Sequence, residues 1–243
     1  MPGIKQLHVL GHTIHTAGVE HRSRLSMDRA AVGGLLRASS ERLPGVELVV
    51  LSTCNRVEFY LACEREEDLT QWRQFLEQRS PGVLSALDGG VSLRGEEAFV
   101  HLCRVAAGLD SAVLGDAHIL QQIRRAVGLA GECGSLGAKL QEAFKYATGL
   151  GGLARTRTHI SRGSVGLGSA LAELLVERLQ GVSEPRILVV GAGEIAADAA
   201  ARIAKRRIGQ LLVTNRGQEA AEALAARCGA GWVPWSRWKS TLL

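Results

Sequence analysis

The stretch "VELVVLSTCNRVEFYLAC" (46–63) decides how the first half of this chain folds. Residues 46–53 and 56–63 are runs rich in Val, Leu and aromatic side chains, and each reads as a β-strand. A cysteine that only filled a core would sit among the valines and leucines. Cys54 instead comes where the first apolar run stops, beside Asn55 and Arg56, where a thiol can be ionised and reached.

Working outward, residues 5–14 read as a preceding strand and 26–42 as a helix with Ser26 at its N-cap. Residues 65–80 repeat the helical spacing, and 90–95 supply a last short strand. The order β-α-β-β-α-β predicts a ferredoxin-like α+β sandwich. From about residue 95 to 179 the pattern is helical, punctuated by glycines at 108, 115, 131 and 163. The polar step "GVSEP" (181–185) then marks an expected domain boundary, giving domains 1–181 and 182–243.

Beyond it, "RILVVGAGEIAADAAARIAKRRIGQLLVTNRG" (186–217) runs strand, glycine turn, Ala-rich helix, strand. That is the opening βαβ of a dinucleotide-binding Rossmann fold. In the turn Gly191-Ala192-Gly193-Glu194-Ile195-Ala196, Gly191 permits the tight bend and Gly193 lets backbone approach a pyrophosphate. Ala196 allows close helix–strand packing, and the amides at the helix start bind phosphate charge. The second strand ends in Asn215 and Arg216 with no carboxylate, which favours the 2′-phosphate of NADP over NAD. The expected fold class is therefore α/β: a ferredoxin-like catalytic domain with a helical extension, then a partial Rossmann domain.

The totals narrow the setting. The 243 residues carry a net charge of +5 and only 4% aromatic residues, with no apolar run long enough to span a bilayer. The five cysteines form no CxxC pair and no metal-ligand pattern, so reduced thiols, no metal and a cytoplasmic location are expected. The basic charge permits a nucleic-acid partner without requiring one. Residues 155–162 are a candidate contact for a nucleic-acid backbone, and a linker helix with a solvated face is an equal reading. A cysteine nucleophile with a nicotinamide domain behind it suggests thioester formation followed by hydride reduction to an aldehyde. Arg56 is a cation that could lower the thiol pKa or clamp a substrate carboxylate.

Five motifs in order carry a resemblance that covers essentially the whole chain. "STCNRVE" (52–58) resembles the nucleophile motif of the glutamyl-tRNA reductases, and "HTAGVEHR" (15–22) is similar to that family's N-terminal segment. "HLCRVAAGLDSAVLGDAHILQQIRRA" (101–126) resembles its central signature. "ARTRTHISRGSVGLGSAL" (154–171) and "VVGAGEIA…VTNR" (189–216) complete the series. The resemblance implies NADPH-dependent reduction of glutamyl-tRNA to glutamate-1-semialdehyde, the first step of five-carbon tetrapyrrole synthesis. It implies Cys54 as nucleophile and His101 as an activity-linked histidine. Thr53, Asn55, Arg56, Ser111 and Gln122 would line the glutamate pocket, together with Asp116 and His118. It also implies a homodimer, and a downstream aminomutase as a partner.

The sequence departs from the family at Asp116-Ala117-His118, where Glu-x-Gln is usual, and at "TIHTAG" (13–18), where "NHKTAP" is usual. The 243 residues are expected to hold only part of the Rossmann sheet and none of the family's dimerisation domain. The leading expectation is a reductase, or a short member of that family; where a half-built sheet binds NADPH weakly, the expected failure is loss of the thioester to water. Two other readings compete. One is a catalytically weak protein that binds aminoacyl-tRNA; the other is a half-Rossmann of the quinate or shikimate dehydrogenase kind, which leaves residues 1–180 unexplained.

Overall fold

A computed structural model, which describes residues 4–116, 118–160 and 167–241, pairs the two runs of 46–63 across a tight turn. Strand β1 (Leu7–Thr13) is followed by helices α1 (Val19–Leu25) and α2 (Arg29–Arg42), then β2 (Val46–Ser52) and β3 (Arg56–Cys63). Helices α3 (Glu66–Arg79) and α4 (Val83–Leu87) lead to β4 (Val91–Arg94). The sheet has the order β2-β3-β1-β4 with every neighbour antiparallel, the ferredoxin-like arrangement expected from the order of elements.

Successive side chains of a strand point to opposite faces, yet β1 and β3 are buried along their whole lengths. Both faces of the sheet are therefore covered. Gly11 allows β1 to lie close against β3, since a Cβ there would fall 2.1 Å from the Val57 carbonyl. Helix α2 is capped not by Ser26 but by Asp28, whose carboxylate accepts the Ala31 amide at 2.8 Å. Ser26 instead ends α1, a short helix not foreseen from the sequence.

The helical extension comprises α5 (Glu96–Ala107), α6 (His118–Glu132) and α7 (Ala138–Arg157). Helices α5 and α7 pack closely at Gly151, where a Cβ would fall 2.5 Å from the Ala106 carbonyl. The first turn of α7 has no side-chain cap of its own. Glu47 on β2 supplies one, accepting the amides of Lys139 at 3.2 Å and Leu140 at 2.7 Å.

The chain divides into compact units Met1–Ser161 and Arg162–Leu243, so the division falls ahead of α8 (Leu167–Arg178) rather than at residue 182. The reason is packing: Ala172 of α8 is fully buried in the second core, with Ile187, Ala200, Ile203, Val213 and Leu224. That unit continues through β5 (Arg186–Val190), α9 (Glu194–Arg206), β6 (Gln210–Thr214) and α10 (Gln218–Cys228). It ends in β7 (Gly231–Trp232) and α11 (Trp238–Thr241). Its three strands run parallel in the order β5-β6-β7, the first half of a Rossmann sheet. Among the described residues no helix is long and apolar enough to cross a membrane.

Candidate functional site

The turn between β2 and β3 presents Cys54. Its thiol is exposed, while the residues around it are tied down. Thr53 anchors the turn: its amide donates to the Arg56 carbonyl at 2.8 Å, and its hydroxyl accepts the amides of Asn55 and Arg56, each at 3.2 Å. From α1, the buried Arg22 donates to the Cys54 carbonyl at 3.4 Å and to the Ala17 carbonyl. The segment 15–22 thus braces the cysteine turn from one side.

Arg56, Glu58 and Tyr60 alternate on β3 and so share a face. All three side chains are buried. Arg56 donates through one guanidinium nitrogen to Glu58 at 3.2 Å and to the Asp110 carboxylate at 3.4 Å. Its other terminal nitrogen donates to the Asp110 carbonyl at 2.5 Å. Glu58 also accepts the Tyr60 hydroxyl at 2.7 Å and lies 2.7 Å from His101 Nε2.

Burial would push the Glu58 carboxyl up. The His101 hydrogen bond and the Arg56 charge outweigh burial and hold it below the usual carboxylate range. Burial, reinforced by the Glu58 charge, drives the Tyr60 hydroxyl well above its ordinary value, so Tyr60 stays a donor. Burial opposes the charge of Arg56, but Glu58, Tyr60 and Asp110 outweigh it and raise its pKa. An ionised Glu58 can only accept, so the proton between it and His101 sits on Nε2.

Asp110 and the half-buried Ser111 belong to a loop closed by a Gly115 amide to Gly108 carbonyl bond of 3.0 Å. Both glycines have positive φ, +77° and +79°, and a Cβ on Gly115 would fall 2.0 Å from the Ile160 carbonyl. Arg155 of α7 clamps the loop's end, donating to the carbonyls of Gly115 at 2.8 Å and Asp116 at 2.6 Å. Within the candidate segment 155–162, Arg155 is thus engaged by the chain's own carbonyls. Of the rest, Arg157 is exposed and residues 161–162 lie outside the described residues.

The structure therefore joins Arg56 and His101 in one network, with Thr53, Cys54 and Asn55 in the turn that leads into Arg56 and Ser111 next to Asp110 in its loop. Asp116 and His118 are tied to the start of α6, where the Asp116 carboxylate accepts the His118 amide at 2.9 Å; Ala117 lies outside the described residues. Gln122 follows one turn along α6, half-buried. Sequence reasoning missed Glu58, Tyr60, Asp110, Arg22 and Arg155. Polar residues recurring every second position in an otherwise apolar strand were the available signal for Glu58 and Tyr60. Among the described residues no group of three or more His, Cys, Asp or Glu could hold a metal ion.

In the second unit, Gly191 sits at φ +117° and its amide donates to the Thr214 carbonyl at 2.7 Å, tying the turn to β6. Ala192 follows, and Gly193 caps α9 with extended backbone. A Cβ on Gly193 would meet nothing within 4 Å among the described residues, so their packing does not require a glycine there. The space beside it and the amides opening α9 at Glu194, Ile195 and Ala196 fit a pyrophosphate. At the end of β6, Asn215 donates to the Gly217 carbonyl at 3.1 Å, and Arg216 lies 5.8 Å from the centre of the Trp235 ring. A cation at that strand end fits a 2′-phosphate better than a bare ribose.

Comparison with known proteins bears on the same two units. The family model described as the N-terminal domain of glutamyl-tRNAGlu reductase matches residues 10–158, well over half of the chain. The chain belongs to the glutamyl-tRNA reductase family. A model of the shikimate / quinate 5-dehydrogenases matches residues 173–240, which makes the second unit a dehydrogenase-type domain within this family rather than a separate identity. The chain is 37% identical over 219 residues to the glutamyl-tRNA reductase of Synechococcus sp. (strain JA-3-3Ab), covering 89% of this chain and 51% of that protein. It is 35% identical over 237 residues to glutamyl-tRNA reductase 2 of Anaeromyxobacter dehalogenans (strain 2CP-C), covering 97% and 51%. The glutamyl-tRNA reductase structure from Methanopyrus kandleri aligns at a TM-score of 0.63 with 32% identity, covering 98% of this chain and 56% of that one. The chain thus spans about half the length of the curated family members it matches.

Proposed function

We propose that the chain performs the family's reaction, the NADPH-dependent reduction of glutamyl-tRNA to glutamate-1-semialdehyde in the cytoplasm, through a thioester on Cys54. The observation that carries this reading is an exposed thiol in a turn pinned by Thr53 and Arg22, next to the buried Arg56–Glu58–His101 network.

The thiolate of Cys54 attacks the ester carbonyl that joins glutamate to the tRNA ribose. The carbon–sulfur bond forms, the carbon–oxygen bond breaks, and the ribose hydroxyl leaves with a proton. Thr53 and Arg22 hold the peptide of Cys54 so that only the side chain need move. Arg56 supplies the positive charge that draws the glutamate side-chain carboxylate, and Asn55 and Ser111 offer polar groups beside it. His101 keeps its proton on Nε2 against Glu58, which leaves Nδ1 to take up and return the proton exchanged with the thiol and leaving group. Gly191, Gly193 and Arg216 would hold NADPH, which would supply the hydride needed to reduce the thioester to the aldehyde and free the thiol. Hand-over of that aldehyde to an aminomutase belongs to the same proposal.

The test is single-turnover incubation with glutamyl-labelled tRNA, with and without NADPH, on this chain and on Cys54→Ser. The reading expects an acid-stable adduct that needs Cys54 and yields aldehyde when NADPH is present. An adduct that only hydrolyses would leave the thiol chemistry standing and remove the reduction. No adduct on folded protein would overturn the reading.

A further inference from the structure

Arg56 is the group that must read the substrate's negative charge, yet its single positive charge already faces two carboxylates, Glu58 and Asp110. The two are held very differently. Glu58 is fully buried and fixed by 2.7 Å bonds from both Tyr60 and His101. The Asp110 side chain is 17% exposed, and its carboxylate meets Arg56 at 3.4 Å, long for a charge-assisted hydrogen bond. Its second oxygen lies 3.8 Å from Nε2 of His15, a side chain that is 55% exposed. The backbone beneath it is hydrogen-bonded at both ends. Arg56 grips the Asp110 carbonyl at 2.5 Å, and Arg155 clamps Gly115 and Asp116 at the loop's far end.

We propose that Asp110 is a displaceable counter-ion: it occupies Arg56 in the substrate-free chain and swings to His15 when an anionic acyl side chain takes its place. The inference rests on the functional reading above and deepens it by assigning a residue that sets specificity. Glu58 keeps Arg56 aligned in both states, while Asp110 sets what an incoming carboxylate must overcome. A neutral side chain of the same shape feels no like-charge repulsion from it, so Asp110 penalises the anionic group more than the neutral one. Asp110 therefore lowers the absolute reactivity toward the anionic acyl group in exchange for a stabilised empty site, because a buried guanidinium left short of partners is costly. His15 offers the displaced carboxylate a partner and so eases the exchange.

The test compares Cys54 acylation by glutamyl-tRNA and by glutaminyl-tRNA, whose side chain is neutral and nearly isosteric. With Asp110→Asn, the ratio of the two acylation rate constants should rise about fivefold or more, the worth of removing one like charge near a partly buried site. His15→Ala should lower that ratio about two- to threefold in the parent and leave it unchanged in the Asp110→Asn background, since the two act as one unit. An unchanged or lower ratio in Asp110→Asn would make Asp110 a fixed structural counter-ion and overturn the proposal. So would a His15 effect that persists in the double variant. A parent protein acylated by neither ester would instead bring down the functional reading itself. Equal slowing of both esters in Asp110→Asn leaves the ratio unchanged and counts against the proposal.

Discussion

Where the first unit delivers Cys54, side chains do the positioning: Thr53 closes the turn, Arg22 holds the cysteine carbonyl, and Arg56, Glu58, Tyr60 and His101 form a buried polar chain beneath it. Where the second unit opens its dinucleotide turn, missing side chains do the positioning. Gly191 bends in a region that favours glycine, and Gly193 leaves space that none of the described residues fills. The first kind of site is rigid before substrate arrives and expensive to damage. The second is cheap for the fold and has value only when a ligand is present. Mutations should separate stability from function very differently in the two places.

The largest effect should come at the thiol. Cys54→Ser should lower adduct formation by roughly a thousandfold or more while leaving the melting temperature unchanged, because the side chain is exposed. A melting shift there would break the contrast between an exposed thiol and its buried support. Next comes that support. Glu58→Ala should destabilise the first unit by about 3–5 kcal/mol in denaturant titration, because it leaves the buried Arg56 with only the long Asp110 carboxylate contact and takes the shared acceptor from Tyr60 and His101. A loss below about 1 kcal/mol would mean the network is not the structural element described.

The same residue sharpens the comparison through pH. Glu58 is held below the usual value of 4.5 in the folded chain, so its stabilisation is complete above that value. It should be lost as pH falls through the lower folded value, and a Glu58→Gln chain should lack that part of the acid transition in a pH-jump fluorescence titration.

Effects at the glycine turn should be smaller and should fall on binding. Arg216→Gln should reduce the preference for NADPH over NADH about tenfold, measured by equilibrium fluorescence, with little change in folding. Gly193→Ala should weaken NADPH binding a few-fold while shifting stability by no more than about 0.5 kcal/mol. A large stability loss at Gly193 would assign that glycine to packing and erase the contrast.

Much of the architecture could be read from the sequence because it follows local pattern. The strands 46–53 and 56–63 are apolar runs broken at one polar step, and their observed bounds are Val46–Ser52 and Arg56–Cys63. Helix α1 escaped notice because seven residues with two apolar positions carry little periodicity, and part of its burial comes from Arg22. The cap of α2 was misplaced by two residues because Ser26 and Asp28 are both good caps; only the amide geometry selects Asp28. The boundary near 182 followed composition, whereas α8 joins the second core through Ala172, a long-range packing choice. At the site, the motif made Cys54 and Arg56 legible. The Asp110 partnership was not, since it joins residues 54 positions apart through a loop whose closure depends on Arg155.

The Glu47 cap on α7 has a consequence for the order of assembly. A helix whose opening amides are satisfied by a strand residue 92 and 93 positions earlier cannot complete its first turn until the sheet exists. The sheet thus acts as a template, and α7 forms by docking onto it rather than by local nucleation. The amide hydrogens of Lys139 and Leu140 should then exchange with solvent at the pace of the β2–β3 pairing. Arg155, at the other end of the same helix, reaches the loop at Gly115 and Asp116 only after that docking, so the loop that carries Asp110 is among the last things this chain sets in place as it folds.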